Sequence, residues 1–208
     1  TDAVQGYLKG RWTPGALSAD LVTLSAHKIH GPKGVGALYV SPEALRRRDI
    51  VPCLLGGGQE AGFRSGTENL IGIAGFGQAA EEGYTQLSAN IEAMQALRAQ
   101  AIALLGELPV TLNLPSGRCA PHILNFTLPG IRSETMLHEL SRNGICVSNG
   151  SACSSHHAHP STALIAFGLT PEQAGCSIRV SFSASNTPQE VTALAERLRD
   201  AIGRLVRA

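Results

Sequence analysis

The stretch SADLVTLSAHKIHGPKGVGALYV, residues 18–40, organises the reading of this chain. An apolar run from Leu21 to Leu24 leads into Ser25-Ala26-His27-Lys28. A Gly-rich turn follows, and a second apolar run spans Val35 to Val40. Both runs read as short buried strands. A lysine between two such strands is out of the ordinary, because most lysines are solvated. A desolvated lysine has a lowered pKa and can form a Schiff base. Ser25 and His27, just before it, can donate hydrogen bonds to an anion. Lys28 is therefore expected to be dry and next to an anion, against the plain alternative of a surface lysine.

Working outward, residues 1 to about 50 read as short apolar strands with Gly and Pro turns. Gly56-Gly57-Gly58 opens a loop that lasts to about Asn69. The pattern then turns helical, with Ile91, Met94, Leu97, Ala101, Leu105 and Leu108 at helical spacing. Strands are expected at Val110–Leu114, Ile123–Leu128 and Ile145–Ser148. A short helix is expected over Ser133–Arg142, with Ser133 as cap and Asn143-Gly144 as stop. Another is expected over Pro160–Phe167, closed by Gly168. Ile178, Val180 and Phe182 alternate as in a half-buried strand. Thr187-Pro188-Gln189-Glu190 has a Thr cap, a Pro in the first turn and a Glu three residues after the cap. Val191, Leu194, Leu198, Ile202 and Leu205 then form one apolar stripe. Strands and helices alternate, so the class is α/β. The helix near residues 86–108 reads as a hinge between residues 1–85 and a second, smaller domain at 86–208.

The bulk numbers fit a globular chain. It has 208 residues, 43% hydrophobic and 16% charged, with a formal net charge of +1. A chain of this size can bury roughly 70% of its unfolded surface. Its charge gives no reason to expect a nucleic acid or an anionic membrane as partner. No apolar stretch approaches the roughly 20 residues needed to span a bilayer, and no signal-peptide pattern is seen. Five cysteines, an odd number, do not read as a disulfide framework; reduced thiols in a cytoplasmic protein fit better. One of them is then available as a nucleophile.

Asp2 and Gln5 lie three residues apart near an expected strand end. A carboxylate beside a pyridine nitrogen keeps that ring protonated and makes it an electron sink. Lys28, Ser25, His27, Asp2 and Gln5 together supply the residue types that pyridoxal phosphate requires.

D-x-x-Q at Asp2–Gln5, followed by S-x-H-K-x-x-G-P-K-G-x-G from Ser25, closely resembles the cofactor segment of the class V aminotransferase family. Gly57-Gly58-Gln59-Glu60 through Arg64-Ser65-Gly66-Thr67-Glu68-Asn69 is similar to that family's G-G-x-x-E-x-x-x-R-x-G-T-x-N segment. Ser148-Asn149-Gly150-Ser151-Ala152-Cys153-Ser154-Ser155 resembles the S-x-G-S-A-C-[ST]-S loop of its cysteine desulfurases. Ser177-Ile178-Arg179-Val180-Ser181 matches the strand that carries a substrate-carboxylate arginine. Four motifs in order cover nearly the whole chain.

The resemblance implies the C-terminal part of the fold type I, aspartate-aminotransferase-like transferase architecture: a remnant of the large cofactor domain plus a small α/β domain. It implies Lys28 as the Schiff-base lysine, Asp2 at the pyridinium nitrogen, and Gln5 at the ring hydroxyl. Ser25 and His27 would hold the phosphate. Thr67 would reach the phosphate in a neighbouring subunit, so a homodimer is implied. Arg179 would clamp the carboxylate of L-cysteine, and Cys153 would take the sulfur as a persulfide, with release of alanine. A sulfur-acceptor protein, such as an iron–sulfur scaffold, is the implied partner. The chain opens inside the Asp2 motif, so it is expected to be part of a longer protein and, alone, to bind cofactor weakly.

Plainer readings stand beside these. Cys153 alone could be a small core residue, and Arg179 alone a surface residue at a strand. Arg64 could be an ion-pair partner. Cys53, Cys119, Cys146 and Cys176 read as structural, His122 and His138 as satisfied structural histidines. Gly56-Gly57-Gly58 is not a P-loop, since no Gly-Lys-Ser/Thr follows. Cys146, Cys153, His156, His157 and His159 crowd one region, but their spacing matches no standard zinc signature and no metal is assigned. Another enzyme of the same family, an aminotransferase or a selenocysteine lyase, remains open, as does a non-catalytic sulfur- or metal-binding module.

Overall fold

The computed structural model describes residues 1–117, 119–128, 130–149 and 161–205. The chain divides into two compact units, Thr1–Ser88 and Ala89–Ala208.

In the first unit, β1 (Leu21–Ser25) and β2 (Gly36–Val40) form an antiparallel pair, in register from Leu21 opposite Val40 to Ser25 opposite Gly36. The chain start runs parallel along β1. Thr23 donates to the Thr1 carbonyl at 3.1 Å, and Ala3 donates to the Thr23 carbonyl at 3.1 Å. A 3₁₀ turn, Ala26–Lys28, follows β1 and buries Ala26. Ile29 and Gly31 both donate to the Ala26 carbonyl, at 3.0 and 2.9 Å, folding the chain tightly past the lysine. Helix α1 (Pro42–Arg47) has Pro in its first turn and Ser41 as cap, whose Oγ accepts from Ala44 at 3.1 Å. A 3₁₀ turn at Glu60–Gly62 and a loop precede α2 (Leu70–Thr85), capped by Asn69. On α2, a Cβ at Gly75 would stand 2.8 Å from Pro32 Cγ. Only a glycine there lets the helix lie this close to the segment after Lys28.

The first unit corrects one expectation. Val22 on β1 is buried, but every residue from Gly36 to Tyr39 on β2 is exposed, Leu38 at 52%. Among the described residues β2 pairs only with β1. A strand with one partner keeps its apolar side chains in solvent wherever nothing packs on them.

The second unit holds the core. Helix α3 (Leu87–Leu105) begins just before the division and runs into β3 (Thr111–Leu112). Then come β4 (Ile123–Thr127), α4 (Ser133–Arg142), α5 (Thr162–Ala166), α6 (Pro171–Gly175), β5 (Ser177–Ser181) and α7 (Pro188–Leu205). The sheet order is β3-β4-β5, antiparallel throughout, with Leu124 opposite Val180 and Asn125 opposite Arg179. Period-2 alternation sends Leu124, Phe126, Ile178 and Val180 into one layer. They meet Met94, Leu97, Ala101 and Leu105 of α3, Met136 and Leu140 of α4, and the α7 stripe through Leu198. Phe126, Met136, Ile178 and Leu198 are fully buried.

Several local expectations are corrected here. Arg132, not Ser133, is the residue before the first turn of α4, and Ser133 is a buried first-turn residue that makes no cap. The strand expected at Val110–Leu114 is shorter, Thr111–Leu112, with one further main-chain bond from the Asn113 amide to the Asn125 carbonyl at 2.9 Å. Ile145–Ser148 contributes a single bridge, Ser148 to Arg179, rather than a strand. Helix α6, with a Thr170–Gln173 capping box, was not read from the sequence. No helix among the described residues is long and apolar enough to cross a membrane.

Candidate functional site

The two units carry separate parts of the expected site. In the first, the parallel bridge between Asp2 and Thr23 sets Asp2 beside the strand that leads to Ser25, His27 and Lys28. Asp2 Oδ1 accepts from the Val4 amide at 2.8 Å, which folds the chain back and fixes the carboxylate at the strand end. Gln5 is exposed on the turn that follows. Ser25 Oγ and His27 Nδ1 lie 2.7 Å apart, so two groups able to meet an anion are already paired at the end of β1. Lys28 closes the 3₁₀ turn.

Lys28 is exposed, and so is His27. The dry lysine expected from the flanking apolar runs is not found in this chain. The buried positions of that turn are Ala26 and Ile29, which anchor it, while His27 and Lys28 face away from the anchor. Another lysine of the first unit is half-buried: burial lowers the pKa of Lys9. A cavity of the first unit, about 570 Å³ and lined by Tyr7, Trp12, Val22, Tyr39, Tyr84 and Leu87 among others, includes none of Asp2, Ser25, His27 and Lys28. Thr67 is exposed in the loop before α2 and makes no hydrogen bond to another described residue.

In the second unit, Ile178 and Val180 turn into the core, so Arg179 lies on the opposite face of β5. Its amide donates to the Ser148 carbonyl at 2.7 Å, and Ser148 donates back at 3.1 Å. The bridge brings the start of the Ser148–Ser155 motif beside the arginine strand. Arg179 Nε is buried without a hydrogen-bond partner among the described residues. Its cross-strand neighbour Asn125 is taken, since Asn125 Oδ1 accepts from Asn113 at 2.6 Å. A buried guanidinium N–H with no acceptor is costly, and the group is chemically suited to a carboxylate.

Cys153, with His156, His157 and His159, lies outside the described residues. Cys53, Cys119 and Cys146 are exposed free thiols and Cys176 is buried. A structural core role is therefore left only to Cys176. His122 is buried and His138 is exposed on α4. Arg64 makes no ion pair among the described residues; its Nη1 donates to the Ser65 carbonyl at 2.9 Å. Among the described residues, no group of three or more His, Cys, Asp or Glu converges.

Residues 1–194 match the family described as aminotransferase class-V, and the chain belongs to it. Among characterised relatives it is similar to the "Cysteine desulfurase IscS" of Clostridium botulinum, 39% identical over 202 residues, 95% of this chain and 50% of that protein. The protein of the same name from Vibrio vulnificus is 37% identical over 205 residues, 98% of this chain and 50% of its own length. Among solved structures, a "NIFS-LIKE PROTEIN" superimposes with a TM-score of 0.84 at 34% identity, covering 97% of this chain and 51% of that one. The NifS-like protein from Rickettsia africae gives 0.84 at 32%, covering 96% and 52%. The fold is thus α/β, an extensive part of the transferase fold those proteins share. The chain spans about half the length of the curated relatives it matches.

Proposed function

We propose that this chain is part of a pyridoxal-phosphate-dependent cysteine desulfurase, with residues 1–85 a remnant of its large cofactor domain and 86–208 its small domain. The observation that carries the proposal is the buried, unpartnered Nε of Arg179, bridged through its main chain to the first residue of the Cys153 motif. An arginine held in that way, beside the first residue of a Ser-x-Gly-Ser-Ala-Cys sequence, fits a small amino acid whose sulfur is to be removed.

The residues present fit the cofactor. Lys28 would hold its aldehyde carbon, Ser25 and His27 its phosphate, Asp2 its ring nitrogen and Gln5 its ring hydroxyl. Thr67 would meet the phosphate of the other subunit of a homodimer. When bound, the cofactor would supply an electron sink for the bonds at the substrate α-carbon. The Arg179 guanidinium holds the carboxylate of L-cysteine. The Lys28 amine would take the α-proton of the substrate and return a proton to carbon. Asp2 would favour the protonated ring nitrogen. The Cys153 thiolate attacks the substrate sulfur; an S–S bond forms as the C–S bond breaks, and the bonding pair stays on the carbon side. Two protons complete that carbon skeleton as alanine, and the sulfur remains as a Cys153 persulfide. A sulfur-acceptor protein, such as an iron–sulfur scaffold, would then receive it. The exposed free thiols support a reducing, cytoplasmic setting.

The test is chemical trapping. The chain is incubated with pyridoxal phosphate, reduced with borohydride and digested, and the labelled peptide is identified by mass spectrometry. Label chiefly on Lys28 supports the proposal. Label spread over Lys9, Lys28 and Lys33, even with the preceding half of a relative supplied, overturns it. Where a site forms, loss of persulfide in Cys153→Ala separates a desulfurase from an aminotransferase, which needs no thiol.

A further inference from the structure

We infer that Gln59 is a positioning residue for Thr67, holding the loop so that the Thr67 hydroxyl is presented to a phosphate. This rests on the reading of Thr67 as a phosphate ligand given above, and goes beyond it by naming what fixes the threonine.

The segment from Leu54 to the start of α2 has almost no apolar anchor. Leu54, Leu55 and Phe63 are all exposed. Its shape comes instead from a few polar contacts. Ser65 donates to the Leu54 carbonyl at 3.2 Å, which closes the loop at its base. Gln59 precedes the 3₁₀ turn Glu60–Gly62 and accepts from Gly62 through its carbonyl at 3.0 Å. Its side chain then crosses the loop, and Oε1 accepts from the Gly66 amide at 3.1 Å. Gly66 immediately precedes Thr67. On the far side, the Asn69 side chain accepts from Gly72 at 3.0 Å and fixes the chain to the start of α2.

Thr67 is therefore suspended between two side-chain anchors, Gln59 behind it and Asn69 ahead of it. Gly66 has φ +122, a conformation that L residues rarely adopt, so the chain turns sharply just before the threonine. The Gln59 contact holds that turn. Because Thr67 itself is exposed and has no hydrogen bond within the described chain, its hydroxyl is left for a ligand. Gln59 touches neither ligand nor reacting atom in this arrangement; it acts through Gly66.

Two variants separate the hydrogen bond from the bulk of the side chain. Gln59→Met keeps the length and removes the acceptor; Gln59→Glu keeps an acceptor oxygen in the same place. Two readouts are taken on the full chain. The first is hydrogen exchange of the Gly66 amide, which needs no cofactor. The second is borohydride trapping at Lys28 with pyridoxal phosphate and, separately, with pyridoxal, which lacks the phosphate. Gln59→Met should speed Gly66 exchange, while Gln59→Glu should leave it as slow as in the parent. Gln59→Met should also raise the pyridoxal phosphate concentration needed for half-trapping about fivefold, the effect of one modest hydrogen bond, and leave pyridoxal trapping unchanged. Thr67→Val should reproduce the phosphate-specific loss with Gly66 exchange unaltered. Equal loss for both aldehydes in Gln59→Met, or no loss for either, overturns the inference while leaving the reading of Thr67 intact. If the parent chain traps pyridoxal phosphate no better than pyridoxal, the phosphate role of Thr67 falls and this inference falls with it.

Discussion

Ser148 and Arg179 exchange both of their main-chain hydrogen bonds, although the whole Cys153 segment lies between them in sequence. The pairing ties one end of that segment to the strand that carries Arg179, whose Nε has no partner among the described residues. It is the point where the first residue of one motif meets the strand of another, distant in the sequence.

Arg179 should show a trade between stability and binding. Its buried Nε is unsatisfied, so Arg179→Met removes a cost and keeps the aliphatic stem. Urea unfolding is expected to show no loss of stability. Binding of L-cysteine by the cofactor-loaded protein should weaken by about 100-fold, as expected for losing a charged two-point contact, and Arg179→Lys should recover little of it. A clear drop in the urea midpoint of Arg179→Met would show the arginine to be structural instead.

The start of α7 is a reciprocal cap. Thr187 donates its amide to Glu190 Oε2 at 2.7 Å, and Glu190 donates its amide to Thr187 Oγ1 at 3.3 Å. Thr187→Ala is expected to cost about 1 kcal/mol in chemical denaturation of the chain.

The same cap predicts a pH dependence. The Thr187 amide, then the Asn186 side chain, hold the Glu190 carboxyl below its ordinary value. A lowered folded-state pKa gives stabilisation that is complete above the ordinary glutamate range and is lost as pH falls through the lower folded value. The parent chain should therefore exceed Glu190→Gln in stability at neutral pH, and the gap should close in strong acid. Parallel denaturation curves across pH check this; a gap that widens on acidification would refute it.

Gly75→Val should push α2 away from Pro32, because a Cβ already falls too close to that ring. The expected cost is about 1–3 kcal/mol, typical of overpacking. Trapping of pyridoxal phosphate should shift from Lys28 toward Lys9, whose lowered pKa leaves more neutral amine at a given pH. Peptide mapping after borohydride reduction reads the shift directly.

Phe126→Ala should cost about 3–5 kcal/mol, since the ring is fully buried between β4 and the surrounding helices. Thermal unfolding measures it.

The second unit was largely legible in the sequence. The Ile178, Val180 and Phe182 alternation and the α7 stripe are strong periodic signals, and the structure buries them, Leu205 at the end of the stripe only in part. The Thr187–Glu190 cap was equally plain, because its chemistry is local. Ser133 misled, because a serine beside an expected helix start can sit one residue inside it and turn into the core. The Ser148–Arg179 bridge was not legible, since pairing between distant segments leaves no local pattern. The Lys28 environment was misjudged for a related reason. Apolar runs announce that a strand can be buried, while its actual burial depends on what packs against it, and among the described residues β2 pairs only with β1. The Gln59 to Gly66 contact is not legible in the sequence, because a glutamine in a loop reads as solvated.

The antiparallel pairing of β4 with β5 has a consequence for the order in which the molecule is made. Synthesis runs from β4 through the Cys153 segment before β5 and α7 emerge, so the central strand must wait for its partner. Until then Phe126 and Leu124 lack the layer formed by Ile178, Val180 and Leu198. Closing so long a span costs chain entropy before any contact rewards it. The second unit should consequently fold late and all at once, and a ribosome-stalled chain ending before Ser177 should remain sensitive to protease over residues 123–149.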